Sequence, residues 1–153
     1  MKLDVRPCYD GRTLDFSCEL SLAELEFYRE KPFAEPVSVT GSVQGRAGAL
    51  ELSAVASTEL RLLCGRCAEP FQRHFELPVT VFLAETVENP EDSDENGIVP
   101  LKDGVCDIEE IIVPALILEM GMRNLCREDC LGLCHECGAN LNNGPCGCAK
   151  KQE

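Results

Sequence analysis

The chain has 153 residues, 44% of them hydrophobic, and a formal charge of −13 at neutral pH. That is enough material for one sizeable core with a small appended module, and too little for two large domains. No apolar run approaches the roughly 20 residues that a membrane span requires. So acidic a chain is also a poor generic binder of nucleic acid, because phosphate contacts supply much of that affinity.

The first residues, "MKLDVRPCYDGRTLDF", carry an acid by position four and no apolar stretch. They do not read as a secretory signal, and a soluble, cytoplasmic protein is expected. "TLDFSCEL" (Thr13 to Leu20) alternates as a strand. "SLAELEFY" offers Ser21 and Glu24 as a capping-box pair for a short helix, or else a turn before Pro32. The clearest β signal follows in "VSVTGSVQG", "GALELSAVASTELRLLC" and "RHFELPVTVFLAE". Alternation and β-branched enrichment predict an antiparallel meander over residues 37–84, curled into a barrel-like sheet, with Gly45 and Gly48 marking a hairpin.

Residues 85–106 read as a polar, acidic loop. From Glu85 to Glu110 there are ten acidic residues against one Lys, so most of the net charge sits here. A solvated excursion is expected, dispensable for folding from about Glu88 to Gly104. "DIEEIIVPALILEM" then predicts a buried helix over residues 107–120, capped by Asp107 with Glu110 and disturbed by Pro114. The predicted architecture is α+β. Residues 1–120 form a β-rich body containing the loop and the helix; residues 121–153 form a cysteine-rich module packed on it.

That module holds six of the 11 cysteines, in "LCREDCLGLCHECGANLNNGPCGC". Lasting disulfides are disfavoured in a reducing compartment, and an odd count leaves one thiol over. Four close pairs can be drawn: Cys64 with Cys67, Cys126 with Cys130, Cys134 with Cys137, and Cys146 with Cys148. Eight thiolates suit two tetrahedral zinc sites, and "CHECG" reads as a zinc knuckle in which Gly138 takes a left-handed conformation; Gly65 is assigned a similar role in "CGRC". Two partitions satisfy the arithmetic. In one, Cys134, Cys137, Cys146 and Cys148 close a local site while Cys64 and Cys67 meet Cys126 and Cys130 across the fold. In the other, Cys126, Cys130, Cys134 and Cys137 form the compact site and the remaining two pairs meet. An iron–sulfur cluster also takes four thiolates, though the knuckle spacing favours zinc. All-thiolate spheres leave no open position, so the metal reads as structural and the protein as no enzyme; no serine-hydrolase elbow, P-loop or zincin motif competes. Cys8, Cys18 and Cys106 stand alone, His135 reads as exposed, and His74 has no evident partner.

"CGRCAEPF" (Cys64 to Phe71), "DIEEIIVPALILEM" and "LCREDCLGLCHECGANLN…CGC" together resemble the YceD family, the large ribosomal RNA subunit accumulation proteins. The resemblance runs from about Val37 to Cys148. It implies a bacterial or plastid factor needed for accumulation of large-subunit ribosomal RNA, without a membrane or a small-molecule substrate. The partner is then a large-subunit RNA precursor, a basic ribosomal protein, or both. If the first pair meets the second, Arg61, Arg66, Arg73, Arg123 and Arg127 converge on one corner. There Arg66 and Arg127 are expected to face outward, ready for phosphate. The competing reading is a redox- or zinc-responsive adaptor that docks basic proteins through its acidic segment.

Overall fold

The computed structural model describes residues 1–46, 48–85, 97–121 and 123–148. Chain order begins with strand β1 (Lys2–Asp4), a 3-10 turn (Arg6–Asp10), and β2 (Thr13–Leu20). Strands β3 (Val37–Arg46), β4 (Ala49–Leu63) and β5 (Pro70–Ala84) follow as an antiparallel meander, as the alternation predicts. Two short strands, β6 (Ile98–Pro100) and β7 (Val105–Asp107), precede one α-helix, α1 (Ile108–Met120).

The larger sheet has the order β2-β3-β4-β5-β6, and β1 pairs separately with β7. It is not closed into a barrel. Its ends, β2 and β6, do not pair, and β6 runs parallel to β5 where the rest is antiparallel. The apolar face that a barrel would enclose is covered by α1 instead. Leu50, Leu52, Ala54, Ala56, Leu60 and Leu62 present one buried row along β4. Across from them, Ile108, Ile112, Leu116 and Met120 of α1 join the same core, with Val5, Leu20 and Phe33. The other face of the sheet faces solvent with Ser38, Thr40, Glu59, His74 and Thr80.

Glycines act at two points of the meander. Gly48, with φ of +86°, makes the left-handed turn between β3 and β4. Gly45 is needed for a different reason: a Cβ there would stand 2.8 Å from the Cys8 carbonyl oxygen.

Beyond Ser57, β4 outruns β3, whose register with it ends at Ser38↔Ser57. The exposed edge of the β4 extension is met by residues 32 and 33: Phe33 bridges Leu60, and the Arg61 amide donates to the Pro32 carbonyl at 2.9 Å. β4 and β5 remain paired to Leu63↔Pro70, so the sheet ends in a long two-stranded ribbon. Cys64 and Cys67 sit at its tip.

Three local expectations change. The Ser21 segment forms no helix; turns lead to a tight Phe27–Glu30 turn closed by two backbone hydrogen bonds, with Tyr28 and Arg29 both at positive φ. The acidic loop is shorter than 85–106. Residues 86–96 lie outside the described residues, but β6 pairs with β5, and Leu101 and Cys106 are buried, so the stretch from 98 onward packs. The helix, finally, is buried on one side only. Asp107 caps it by accepting from the Glu109 amide at 3.1 Å, Pro114 faces solvent, and Leu118 is 82% exposed.

The two faces of α1 should therefore respond differently to truncation. Leu116→Ala is expected to destabilise the fold by about 2–5 kcal/mol, whereas Leu118→Ala should stay within about 0.5 kcal/mol. Denaturant titration of both variants checks this; equal losses would place Leu118 in the core.

Candidate metal centre

The ribbon tip and the cysteine-rich module use the same turn. In "CGRCAE" the Cys64 amide donates to the Glu69 carbonyl and the Ala68 amide to the Cys64 carbonyl, both at 2.9 Å. In "CHECGA" the Cys134 amide donates to Ala139 at 2.8 Å and Gly138 to Cys134 at 2.9 Å. The residue after the second cysteine of each turn is left-handed: Gly138 at φ +72° and Ala68 at φ +59°. Gly65 does not have the role expected of it. Its φ is not positive, and its amide donates to the Asn124 carbonyl at 2.7 Å. Ala68 carries the left-handed position of the first turn, at a side-chain cost of roughly 1–2 kcal/mol that Gly138 avoids.

Two groups of four thiols result. Cys64, Cys67, Cys126 and Cys130 form one; Cys134, Cys137, Cys146 and Cys148 form the other; within each group all Sγ atoms lie within 4.8 Å of one another. This is the cross-fold partition. Cys64 Sγ stands 3.7 Å from Cys130 Sγ, Cys67 Sγ 3.8 Å from Cys126 Sγ, and Cys134 Sγ 3.4 Å from Cys146 Sγ. A tetrahedron with metal–sulfur bonds of about 2.3 Å has sulfur–sulfur edges of about 3.8 Å. A disulfide needs about 2.05 Å, so these separations suit a single cation between four ligands and not a covalent bond. Among the described residues, the donor set and the spacing both fit zinc.

The groups differ in shielding. Cys64, Cys67 and Cys130 are buried and packed with Phe71 and Leu125, while Cys137 is exposed and Cys146 and Cys148 are half-buried. Electrostatics within each group are divided. Cys64 is lowered to about 6 by the Cys126 and Cys67 amides, whereas Cys126 is pushed up to about 12, first by burial and then by its hydrogen bond with Cys64. In the second group Cys134 falls to about 6 through the Cys137 and Glu136 amides, and Cys148 rises to about 12 beside Cys137. Four thiolates cannot share so small a space without a cation to offset their repulsion.

Hydrogen bonds stitch the groups to each other and to the body. The Arg66 guanidinium donates to the carbonyls of Glu128 and Cys130 at 3.2 and 3.0 Å, while the Leu133 amide donates to the Arg66 carbonyl. Buried Gly132 packs on Arg66, where a Cβ would meet the Arg66 carbonyl oxygen at 3.1 Å. Asn142 is the central side chain. Its Nδ2 donates to Cys130 Sγ at 3.3 Å, and its Oδ1 accepts from the Leu131 amide at 2.9 Å and from Arg127 at 2.7 Å. Asn140 fixes it by accepting from its amide at 3.0 Å. Asn142 thus lies between the ligands of the second group yet serves a ligand of the first.

The five arginines do not form an open corner. Arg66 is spent on carbonyls, Arg127 on Asn142 and Asp129, and Arg73 donates to Asn124 Oδ1 at 3.0 Å. Arg66 and Arg127 are both exposed, as expected of an outward pair, and their guanidinium groups, which carry five donors each, are also engaged by the metal loops: Arg66 by two backbone carbonyls and Arg127 by the Asn142 side-chain oxygen. Arg61 and Arg123 are exposed, and their side chains make no hydrogen bond or ion pair among the described residues. The residues that spacing did not reveal are Asn142, Asn140, Asn124 and Ala68; "GANLNNGP" reads only as a row of turn formers, because a side-chain bond to sulfur 12 residues away has no local signature.

Away from the metal loops, His74 does have partners. Its Nδ1 lies 2.8 Å from Glu59 and its Nε2 3.5 Å from Ser57 Oγ, across the β4–β5 pairing. The order Ser–His–Glu invites a hydrolytic reading, but the group lies on an exposed strand face. His135 is exposed; Cys8 and Cys106 are buried thiols, with Cys106 raised to about 11 by burial.

The same sequence features were compared with known proteins. The profile of "Large ribosomal RNA subunit accumulation protein YceD" matches residues 52–153, two thirds of the chain. The chain belongs to the YceD family. Among curated relatives of this YceD-family chain, a maize (Zea mays) protein named "Large ribosomal RNA subunit accumulation protein YCED homolog 1, chloroplastic" is 31% identical over 142 residues, covering 74% of this chain and 48% of the relative. The Arabidopsis thaliana protein of the same name is 26% identical over 152 residues, covering 82% and 47%. An uncharacterized protein of Mycobacterium tuberculosis is 31% identical over 83 residues, covering 54% and 40%. The chain spans about half the length or less of these relatives. No solved structure matches it. Among the described residues, no helix is long and apolar enough to cross a membrane.

Two outcomes follow for this YceD-family site. Cys67→Ser opens a closure spanning 59 residues, whereas Cys148→Ser opens a local one, so the former is expected to lower the melting temperature more. The reverse order in a thermal scan would contradict a cross-fold site. Asn142→Ala is expected to speed chelator-driven metal release from the first group by roughly 10–100-fold. Cobalt-substituted protein separates the two release steps; a change confined to the exposed second group would refute the assignment.

Proposed function

We propose that the chain is a non-enzymatic factor in large ribosomal subunit biogenesis, acting in the accumulation of large-subunit ribosomal RNA, and that two structural zinc ions hold its working corner. Family membership and the printed names of the plant relatives support the process. The observation that carries the physical reading is the cross-fold cysteine group. It fixes the tip of a ribbon of two 15-residue strands to a module that would not otherwise hold a shape, and zinc knuckles are a known RNA-reading scaffold. In this reading residues 1–120 are the body and residues 121–153 a module packed on it, and the protein works in the cytoplasm. Neither group leaves a coordination position open, so the zinc supplies rigidity and no chemistry of its own.

Among the described residues, Arg61 and Arg123 are cations at this end whose side chains remain available to phosphate; Arg66, Arg73 and Arg127 instead keep the scaffold in register. That division gives weight to a second reading, a protein-only adaptor for basic partners that responds to redox state or zinc. Crosslinking in cells with recovery of both RNA and protein distinguishes the two. Arg61→Glu combined with Arg123→Glu is expected to leave metal content unchanged and to reduce recovery of large-subunit RNA precursors at least tenfold, about 1.4 kcal/mol of contact. Arg66→Glu should instead lower metal content and stability. Undiminished RNA recovery with the first variant would favour the adaptor.

A further inference from the structure

The outer face of α1 has a composition that the fold does not require. A helix covering a core on one side usually turns polar residues outward. Here Ile108, Ile112, Leu116 and Met120 are buried, and the opposite side carries two exposed apolar residues in one row with the exposed Glu110. Pro114 and Leu118 stand one turn apart on it, beside half-buried Val113 and Ile117. Leu118 is 82% exposed, the highest value among the exposed large hydrophobic residues described. A single exposed leucine is ordinary, but Leu118 and Pro114 beside the half-buried Ile117 form a short apolar ridge of the kind that mates with another amphipathic element.

The charge around the ridge selects what can sit there. α1 contains Glu109, Glu110 and Glu119, all exposed, and no basic residue. At its N-terminal end Glu109 and Glu110 line a cleft with Val113, Pro114 and Asp107, the last paired with the Met1 ammonium at 3.3 Å; Lys2 and Lys102 stand on the neighbouring side of Asp107 and Glu110. A second copy of this chain docking through a twofold axis would set these carboxylates against one another, at a cost. A lipid surface rich in anionic headgroups would be repelled. A basic segment with apolar residues at helical spacing meets both the ridge and its rim.

We propose that this face of α1 docks a basic, amphipathic segment of a protein partner. The surface is on a different element from the metal loops, and its occupancy does not depend on whether those loops touch RNA.

The test uses the full, metal-loaded chain and a synthetic 14-residue peptide with Leu at positions i, i+3 and i+4 and Lys elsewhere. A Lys/Ser peptide of equal length and charge controls for general attraction to an acidic protein, and a Leu/Glu peptide controls for apolar content. Backbone amide shifts are expected to move at Glu110 to Leu118 with the Leu/Lys peptide alone. Leu118→Arg is expected to weaken that peptide at least tenfold, and Leu118→Met to retain it, both with the parent's melting temperature. Equal binding of the Lys/Ser peptide, shifts mapping away from α1, or an unaffected Leu118→Arg variant would each overturn the proposal. So would a concentration-dependent dimer of the parent that Leu118→Arg abolishes, because the occupant would then be a second copy.

Discussion

The structure depends on bringing four sulfur atoms from two distant parts of the chain to within 4.8 Å of one another. Cys64 and Cys67 end one strand and begin the return of the next, and Cys126 and Cys130 lie about 60 residues further on, beyond the acidic segment and the helix. Left as thiols the group is internally divided, one member held near 6 and another near 12. A dication held there would resolve that division and close a long loop at the same time. Among the described residues, the C-terminal module contributes Leu125, Cys126 and Cys130 to the small buried cluster at the ribbon tip and also meets the ribbon through hydrogen bonds. Metal ligation in this group would convert a cysteine-rich tail into a fixed surface.

The second group rests on the first. Its knuckle repeats the hydrogen-bond pattern of the ribbon tip, but its ligands are more exposed and its loop closes locally. Asn142 links the two by donating to Cys130 from within that local loop. Order in one site is thereby felt at the other, and the guanidinium of Arg66, inserted among the carbonyls of Glu128 and Cys130, locks the same junction from the body side.

Much of this architecture could be read from the sequence because its causes are local. Alternation gives β2 through β5 their faces, and cysteine spacing gives the four pairs. The pairing of pairs, the open sheet and the committed arginines could not be read in the same way. Barrel closure depends on whether two edge strands meet, and here α1 covers the face that closure would have buried. Helix α1 was legible as a helix but not as a half-exposed one, since its apolar run is compatible with burial on every side; Leu118 departs from that pattern without a fold-level reason. Arg66 and Arg127 look like free cations in a string of letters. They become structural only when their acceptors in the metal loops are placed around them, backbone carbonyls for Arg66 and the Asn142 side chain for Arg127.

The account stands or falls on the metal. X-ray absorption at the zinc edge, combined with elemental analysis of protein purified with zinc present, measures ligand type, distance and stoichiometry together. Two zinc ions per chain, each with four sulfur neighbours near about 2.3 Å, is the expected result. One ion per chain, iron in its place, or nitrogen and oxygen neighbours would contradict two closed, all-thiolate sites.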